Sequence, residues 1–288
     1  MAGTYFLGVD LGGTQMRMAA VTQGGTLASD IVSARTGAGF APDDLRRALR
    51  DLAAQVVRRV NGGSVAALGF GTAGVVGAGP LTQSPHLPRI EGTDVAALVA
   101  EAMDCPVAVE NDARCFTLAE ARYGAGRGAK DVCGIVVGTG VGCGVMIGGR
   151  LHRGATSQAG EVWQIPLRGE SVERFVAGAG IVRGYGAAGG KAAGADLDAA
   201  GVAERARAGD GAAMAAWRSF GEDLGFLCRT VIALLDPEVI VIGGSLAQAA
   251  DLFEPSLVAR LDGHSTRIAE AELGPAAGVI GAAALNID

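Results

Sequence analysis

A carboxylate followed by a glycine-rich turn lies near the N-terminus, in the run Asp10-Leu11-Gly12-Gly13-Thr14. Glycines let backbone N–H groups approach an anion closely, and Thr14 adds a hydroxyl donor. A carboxylate at the end of a strand can also hold Mg²⁺ through water. The alternative is an ordinary hairpin turn with a solvated aspartate. The run therefore indicates an anion site only if other parts of the chain agree.

A second run has glycine at every second position, from Gly138 through Gly140 and Gly142 to Gly144, with Thr139 after the first. Glycine inside a strand costs stability, so four in alternation need a reason, such as a ligand lying against the backbone. The spacing is not the G-x-G-x-x-G of a dinucleotide site, and the run opens no helix. A barrel-like bend of the strand is the structural alternative.

A third candidate, Gly243-Gly244-Ser245, follows an apolar strand predicted over 239–242. Its glycines would permit a planar group such as adenine to rest on the turn, and tight packing of a helix on a strand is the alternative explanation. Two glycine-rich hairpin turns that face one another, together with this loop, would hold a triphosphate between two lobes. The combination is more specific than any of its parts.

The elements that would position these turns alternate between strands and helices. Apolar runs predict strands over 5–10, 15–21, 27–34, 65–71 and 107–110, and helices over 43–60 and 113–123. A second hairpin is predicted over 131–147, with Gly148-Gly149 as its turn, and helices dominate 172–235. A hairpin with a glycine turn, followed by mixed α/β structure, thus occurs in each half of the chain.

Composition excludes several classes of function. The 288 residues carry a net charge of −6, and the 24 basic residues are spread along the chain, which argues against a nucleic-acid partner. No apolar run approaches the ~18 residues that span a bilayer, and no basic segment precedes the first apolar stretch, so a cytoplasmic protein without a membrane partner is expected. Neither of the two lysines, Lys130 and Lys191, lies in a Walker-type loop, so a nucleotide site of that type is excluded.

The five cysteines are scattered along the chain and none forms a C-x-x-C pair. This pattern favours buried thiols over disulfides.

In chain order these motifs resemble those of the actin-like ATPase-domain sugar kinases, and within them the ROK family. The first glycine turn is similar to that superfamily's first phosphate motif, the second run to its second phosphate motif, and 241–244 to its adenosine motif. Two further runs resemble the ROK family specifically, namely 148–161, which ends in Gly160-Glu161, and 109–113, which contains Asn111-Asp112. The resemblance covers essentially the whole chain.

The resemblance implies an α/β protein with the two-lobed actin-like ATPase (ribonuclease H-like) fold, mixed sheets and a central cleft. Residues 1–112 would form an N-terminal α/β lobe, completed by a C-terminal helix near 276–288, and residues 113–275 a larger C-terminal lobe. The implied reaction is the ATP-dependent phosphorylation of a hexose or hexose derivative at a primary hydroxyl, with Mg²⁺. A homodimer is the family expectation.

Three other functions compete with this one. An amino sugar rather than glucose is one alternative substrate, and a non-catalytic sugar-sensing protein of the same fold is another reading. The family's transcriptional repressors carry an N-terminal helix-turn-helix, whereas Tyr5 already begins the first predicted strand here. The kinase is therefore the expected class.

Carried over residue by residue, the resemblance makes Asp112 the general base that takes the proton from the sugar hydroxyl. Phosphoryl transfer agrees with this role, because it needs one carboxylate to orient and deprotonate the nucleophile. An N-cap for the following helix is a compatible alternative for Asn111 and Asp112. The implied substrate-binding residues are Gly74, His86, Asn111, Glu161, Gln164 and Glu173. The implied ATP-binding residues are Asp10, Gly12, Gly13, Thr14, Gly138, Thr139, Gly140, Gly243 and Gly244, and Asp10 would also hold Mg²⁺ through water.

The chain departs from the family pattern around the sugar site. The family typically reads Glu-x-Gly-His, with the histidine also binding zinc held by a cysteine-rich loop, whereas this chain reads Glu161-Val162-Trp163-Gln164. The cysteine-rich loop is absent before Val172, so no structural zinc is predicted. His86 takes a place where the family often has asparagine. These departures predict an altered choice of sugar rather than loss of sugar binding.

Overall fold

A computed structural model describes residues 3–60, 63–77, 79–84, 86–191 and 197–287. The first part of the chain contains β1 (Thr4–Leu11), β2 (Gln15–Val21), β3 (Val32–Arg35), α1 (Pro42–Arg59), β4 (Ser64–Thr72), α2 (Val95–Ala102) and β5 (Val107–Asn111). The middle contains α3 (Asp112–Tyr123), β6 (Val132–Val137), β7 (Val141–Ile147), β8 (Arg150–Leu151), β9 (Pro166–Leu167), β10 (Glu170–Ser171), α4 (Glu173–Val176), α5 (Gly178–Ala187), α6 (Ala199–Arg207) and α7 (Gly211–Leu235). The last part contains β11 (Val239–Gly243), α8 (Ala250–Ala259), β12 (Arg267–Glu270) and α9 (Ala277–Ala284).

Two five-stranded mixed sheets organise these elements. The first has the order β3-β2-β1-β4-β5, with an antiparallel β1–β2 hairpin and parallel strands β1, β4 and β5. The second has the order β12-β11-β6-β7-β8, again with an antiparallel hairpin, β6–β7, beside parallel strands. The repetition expected from the sequence is therefore present, and the mixed sheets are confirmed.

Helix α1 shows how the sequence builds the outer layer of the first sheet. Pro42 opens the helix, Asp43 and Asp44 lie in its first turn, and two arginines lie in its last turn, as the helix dipole favours. The side chain of Asp44 accepts a hydrogen bond from Ala41 N at 3.0 Å. Apolar side chains at helical spacing, Leu45, Leu49, Leu52 and Val56, are buried in the core of the first sheet.

Helices α3 and α9 lie between the two sheets. Helix α9 packs on β1, β4 and α3, while α3 packs on β6 and β7. Gly8 and Gly69 are register partners on β1 and β4, and a Cβ at either would overlap the backbone of α9. The C-terminal helix thus packs on the first sheet and on α3. The division at 112 and 275 stays a prediction, and residues 1, 2 and 288 lie outside the described ranges.

The alternating glycines of β7 have a packing role. A Cβ on Gly142 would lie 2.8 Å from the Cβ of Ala113, and a Cβ on Gly144 would lie 2.8 Å from the carbonyl oxygen of Ala113. Gly134 on β6 is the register partner of Gly144 and faces Thr117 of the same helix. At Gly142 and Gly144 the bare strand accommodates α3, so neither a ligand nor a bend explains them.

The structure corrects two local predictions. The third strand is β3 and not 27–34, because the hydroxyl of Ser29 accepts the hydrogen bond from Ala20 N at 3.0 Å, leaving Leu27 in an isolated bridge. The turn between β6 and β7 lies at 138–140, and Gly148-Gly149 instead connects β7 to β8. Within the described ranges, no helix is both long and apolar enough to cross a bilayer.

Candidate active site

The turn between β1 and β2 is a compact hairpin turn held from the side of β3. Gly12 N donates to Gln15 O at 3.0 Å, the hydroxyl of Thr36 donates to Gly12 O at 2.7 Å, and Thr36 N donates to Thr14 O at 3.0 Å. A Cβ on Gly13 would lie 2.7 Å from the Cβ of His86. The structure therefore brings His86, predicted to contact sugar, to the first predicted phosphate turn.

Asp10 is the penultimate residue of β1 and is 8% exposed. Its carboxylate forms an ion pair with Arg17, its register partner on β2, and Arg17 Nη1 also donates to Pro275 O at 2.9 Å. A carboxylate is the oxygen donor that Mg²⁺ prefers, so the donor chemistry at this strand end fits the ion. Arg17 occupies one oxygen, Oδ2, which leaves Oδ1 as the oxygen that would accept from a metal-bound water.

Asn111 and Asp112 lie where β5 passes into α3. Asn111 caps the helix, with Oδ1 accepting from Arg114 N at 3.2 Å, and its Nδ2 donates to Gly74 O at 3.0 Å. Oδ1 of Asp112 accepts from Ala113 N at 2.8 Å. Asn111 is therefore the N-cap of α3, and its side-chain amide is hydrogen-bonded to Gly74. Asp112 uses Oδ1 in its hydrogen bond to Ala113 N, so Oδ2 is the oxygen that could take a proton.

The position of Asp112 follows from the topology of the first sheet. Strands β1, β4 and β5 are parallel, so their carboxyl ends meet at one edge, which carries Asp10 and Asn111-Asp112. Burial raises the pKa of Asp112 to about 6, and the negative charges of Asp10 and Glu161 act in the same direction. A carboxyl group with this pKa suits proton transfer near neutral pH.

The second glycine turn meets Glu173 at the start of α4. Val141 N donates to Oε2 of Glu173 at 3.0 Å, and a Cβ on Gly140 would lie 2.6 Å from the same oxygen. Gly178 N donates to Gly138 O at 2.9 Å, which ties the turn to α5. Glu173, predicted to bind sugar, and Gly140, predicted to bind ATP, are therefore direct neighbours.

A cavity of about 850 Å³ opens beside this turn. Gly138 and Thr139 line one side, Ser245 and Leu246 another, and α5 and α6 complete the wall with Gly178 and Ala199 among others. The second and third glycine motifs therefore share one cavity, whose volume accommodates a nucleotide. Gly243 and Gly244 themselves serve tight packing, because a Cβ on either would overlap Phe116 or the backbone of Val137.

Glu161, the last residue of the 148–161 run, directly precedes a short 3₁₀ helix, Val162–Gln164, which ends in Gln164. The indole Nε1 of Trp163 donates to Oε2 of Glu161 at 2.7 Å, and Gln164 is exposed. The negative charge of Glu161 contributes to the raised pKa of Asp112, so the two carboxylates interact electrostatically. The hydrogen bond from Trp163 to Glu161 was not predicted from the sequence. The only signal there is that Trp163 replaces the glycine of the family's Glu-x-Gly-His pattern.

An ionic network around the buried side chains of Glu110 and Arg114, which the sequence analysis missed, joins the start of α3 to this segment. Oε1 of Glu110 accepts from Arg114 Nη1 at 2.9 Å and from Asn111 N at 2.8 Å, and Oε2 pairs with Arg153. Arg114 Nη2 donates to Ser157 O at 2.5 Å and to Ala159 O at 3.0 Å. The loop that leads to Glu161 is therefore bound to the first turn of α3.

A small hairpin, β9–β10, lies between Gln164 and Val172, where the resemblance to the ROK family implies that the cysteine-rich loop is missing. Its Arg168 forms a bidentate pair with Asp223 of α7, with Nη1 to Oδ2 at 3.1 Å, and lies 4.9 Å from the ring centre of Phe175. Among the described residues, no group of three or more His, Cys, Asp or Glu side chains could hold a metal ion. The absence of zinc stays a prediction.

Comparison with known proteins shows which family the chain resembles over nearly its whole length. Residues 6–288 match the ROK family. The N-acetylgalactosamine kinase AgaK of Shewanella sp. (strain ANA-3) is 31% identical over 242 residues, which cover 76% of this chain and 77% of that protein. The N-acetyl-D-glucosamine kinase of Pasteurella multocida is 31% identical over 243 residues, covering 76% and 79%.

Solved structures agree with this result. The crystal structure of a ROK family glucokinase from Streptomyces griseus, in complex with glucose and AMPPNP, has a TM-score of 0.81 and 26% identity over 98% of both chains. The sheet order, the two glycine turns and the family match all point the same way. The chain therefore belongs to the ROK family and has the two-lobed actin-like ATPase fold of that family's sugar kinases.

Proposed function

We propose that this ROK-family sugar kinase transfers the γ-phosphoryl group of ATP to the primary hydroxyl of a hexose or hexose derivative, with Asp112 as general base. The observation that carries the proposal is the carboxyl group of Asp112, whose pKa is raised to about 6 at the strand edge shared with Asp10. Glu161 supports the same assignment, because its charge also acts on Asp112.

In this mechanism the hydroxyl oxygen of the sugar attacks the γ-phosphorus, and the bond from that phosphorus to the bridging oxygen of ADP breaks. Asp112 takes the hydroxyl proton on Oδ2, since Oδ1 is bonded to Ala113 N. Backbone N–H groups of the two glycine turns, with Thr14 and Thr139, bind and orient the phosphates. Mg²⁺, held through water at Asp10, would neutralise charge on the phosphates.

An N-acetylated amino sugar is a second candidate substrate. The relatives from Shewanella and Pasteurella are named as kinases of N-acetylgalactosamine and N-acetyl-D-glucosamine, and each is 31% identical to this chain. The structural neighbour with glucose is 26% identical. A panel of glucose, N-acetylglucosamine, N-acetylgalactosamine and N-acetylmannosamine, assayed for ADP release with ATP and Mg²⁺, separates these candidates from a non-catalytic sugar-binding protein.

The test of the base is Asp112→Ala. We expect kcat to fall by roughly 10²- to 10⁴-fold, the usual scale for a general base, with nucleotide affinity nearly unchanged. The matched control is Asp262→Ala, which removes an exposed carboxylate in the turn after α8 and should leave kcat unaltered. Normal turnover in Asp112→Ala would remove Asp112 from the mechanism.

A further inference from the structure

Trp163 is placed to control how the carboxylate of Glu161 is presented. Its indole Nε1 donates to Oε2 of Glu161 at 2.7 Å. Among the described residues, no hydrogen bond reaches the other oxygen, Oε1. A hydrogen bond to a carboxylate is among the stronger ones in proteins, so it restrains rotation of the Glu161 side chain.

The indole is itself held firmly. Trp163 is half-buried and packs against the apolar core of the second sheet. Its backbone carbonyl accepts from the hydroxyl of Ser171 on β10, and Val172 N donates to Ile165 O at 2.8 Å. The β9–β10 hairpin, anchored through Arg168, therefore supports the ring that holds Glu161.

We propose that Trp163 is a positioning residue of the sugar site, which occupies Oε2 of Glu161 and leaves Oε1 to accept a hydrogen bond from a sugar hydroxyl. The inference rests on the proposed function in taking the ligand of Glu161 to be a sugar. A carboxylate with one oxygen restrained accepts from fewer hydroxyl arrangements than a freely rotating one, so Trp163 also narrows the choice of sugar.

The test is Trp163→Phe, which keeps an aromatic ring for packing and removes the N–H donor. We expect the sugar KM to rise roughly tenfold, the sugar preference to broaden, and the ATP KM to stay unchanged. The control is Trp217→Phe, because Trp217 is the second of the two tryptophans and its Nε1 has no hydrogen-bond partner among the described residues. Trp217 also lines the cavity beside the second glycine turn, so this control is read only on the sugar KM, which should stay unaltered.

A double-mutant cycle separates the hydrogen bond from packing. Sugar dissociation constants are measured by calorimetry for the parent, Trp163→Phe, Glu161→Ala and the double variant. If Trp163 acts through Glu161, then Trp163→Phe causes no further loss of affinity once Glu161 is alanine. An equal loss in both backgrounds would overturn the proposal and leave Trp163 a packing residue.

Intrinsic fluorescence tests the inference without turnover. In Trp217→Phe the emission comes from Trp163, and a saturable change on adding a sugar of the panel without nucleotide is expected. If the parent phosphorylates a sugar but neither the sugar KM of Trp163→Phe nor this fluorescence changes, the inference fails and the proposed function stands. If no sugar is phosphorylated while the fluorescence responds saturably, the proposed function fails and Trp163 remains at a sugar site. If no sugar is phosphorylated and the fluorescence does not change, both the proposed function and the role of Trp163 are contradicted.

Discussion

Asp112 is the residue at which burial and neighbouring charge most affect the expected chemistry. A general base must be deprotonated to act, and the pKa of Asp112 is raised to about 6. We therefore expect kcat/KM to fall about tenfold for each pH unit below 6 and to level off above about 7. The measurement is kcat/KM for the best sugar from pH 4.5 to 8.5. A profile that stays flat down to pH 5 would contradict the assignment.

The raised pKa of Asp112 also predicts how the stability of the folded state depends on pH. The folded-state pKa of Asp112 lies above its ordinary value of 3.8, so this group favours the folded state most below pH 4, and that contribution is lost as pH rises through 6. At pH 8 the variant Asp112→Asn should melt at a higher temperature than the parent, with the difference vanishing near pH 4. Thermal unfolding at both pH values measures this.

The resemblance to the ROK family aligns His86 and Gln164 with that family's asparagine and histidine, and both side chains are exposed. We expect Gln164→His and His86→Asn to reorder the sugar panel, since polar groups at a sugar site reject substrates that leave them unpaired. His264→Asn, an exposed histidine in the turn after α8, is the matched control. Should both variants retain the parent's kcat/KM ranking, these positions do not select the sugar.

At the scale of elements, the packing of α3 on β6 and β7 depends on glycine. Gly144→Ala would place a Cβ 2.8 Å from the carbonyl oxygen of Ala113, and overpacking of this kind typically costs about 1–3 kcal/mol. We expect urea unfolding to show a loss of that size. Gly186→Ala is the control, because a Cβ there meets nothing within 4 Å and α5 should gain up to about 1 kcal/mol. Equal stability of the two variants would show that α3 tolerates a side chain at Gly144.

The β9–β10 hairpin precedes Glu173, one of the predicted sugar-binding residues, and an ion pair fastens it to α7. Its turn, Arg168-Gly169, has φ values of 52° and 82°, a backbone that matches the twist of a two-residue hairpin. The pair of Arg168 with Asp223, whose side chain is 6% exposed, ties this turn to α7. The segment that leads into Glu173 is thus fixed by an ion pair and by packing.

At the scale of the whole molecule, we expect stability to be independent of zinc. The five cysteines are free thiols, and burial raises the pKa of Cys228 to about 12, which disfavours the thiolate that zinc requires. A chelator should leave the melting temperature unchanged, and elemental analysis of protein purified without added metal should find far less than one zinc per chain. Stoichiometric zinc, or unfolding by the chelator, would contradict the prediction.

Much of the fold was predictable from local sequence. Strands follow from short apolar runs and turns from glycine, both of which are local signals, so the ends of β1, β2, β4 and β5 were predicted to within one residue. The third strand was misplaced, because the hydroxyl of Ser29 takes over a ladder hydrogen bond. Side-chain competition of this kind has no periodic signature.

The sequence by itself determined the glycine turns and the pattern of a hairpin followed by mixed α/β structure in each half, since these depend on residues adjacent in the chain, whereas the candidate base came from the resemblance to the ROK family. Only the tertiary structure decided which of these groups meet. The contact of Gly140 with Glu173, the hold of Trp163 on Glu161, and the network of Arg114 with Glu110 depend on how loops pack. Gly8 and Gly144 allow a helix to pack closely against a strand and do not contact a ligand. The sequence could not show this, because a missing side chain makes room for a phosphate or for a helix backbone equally well.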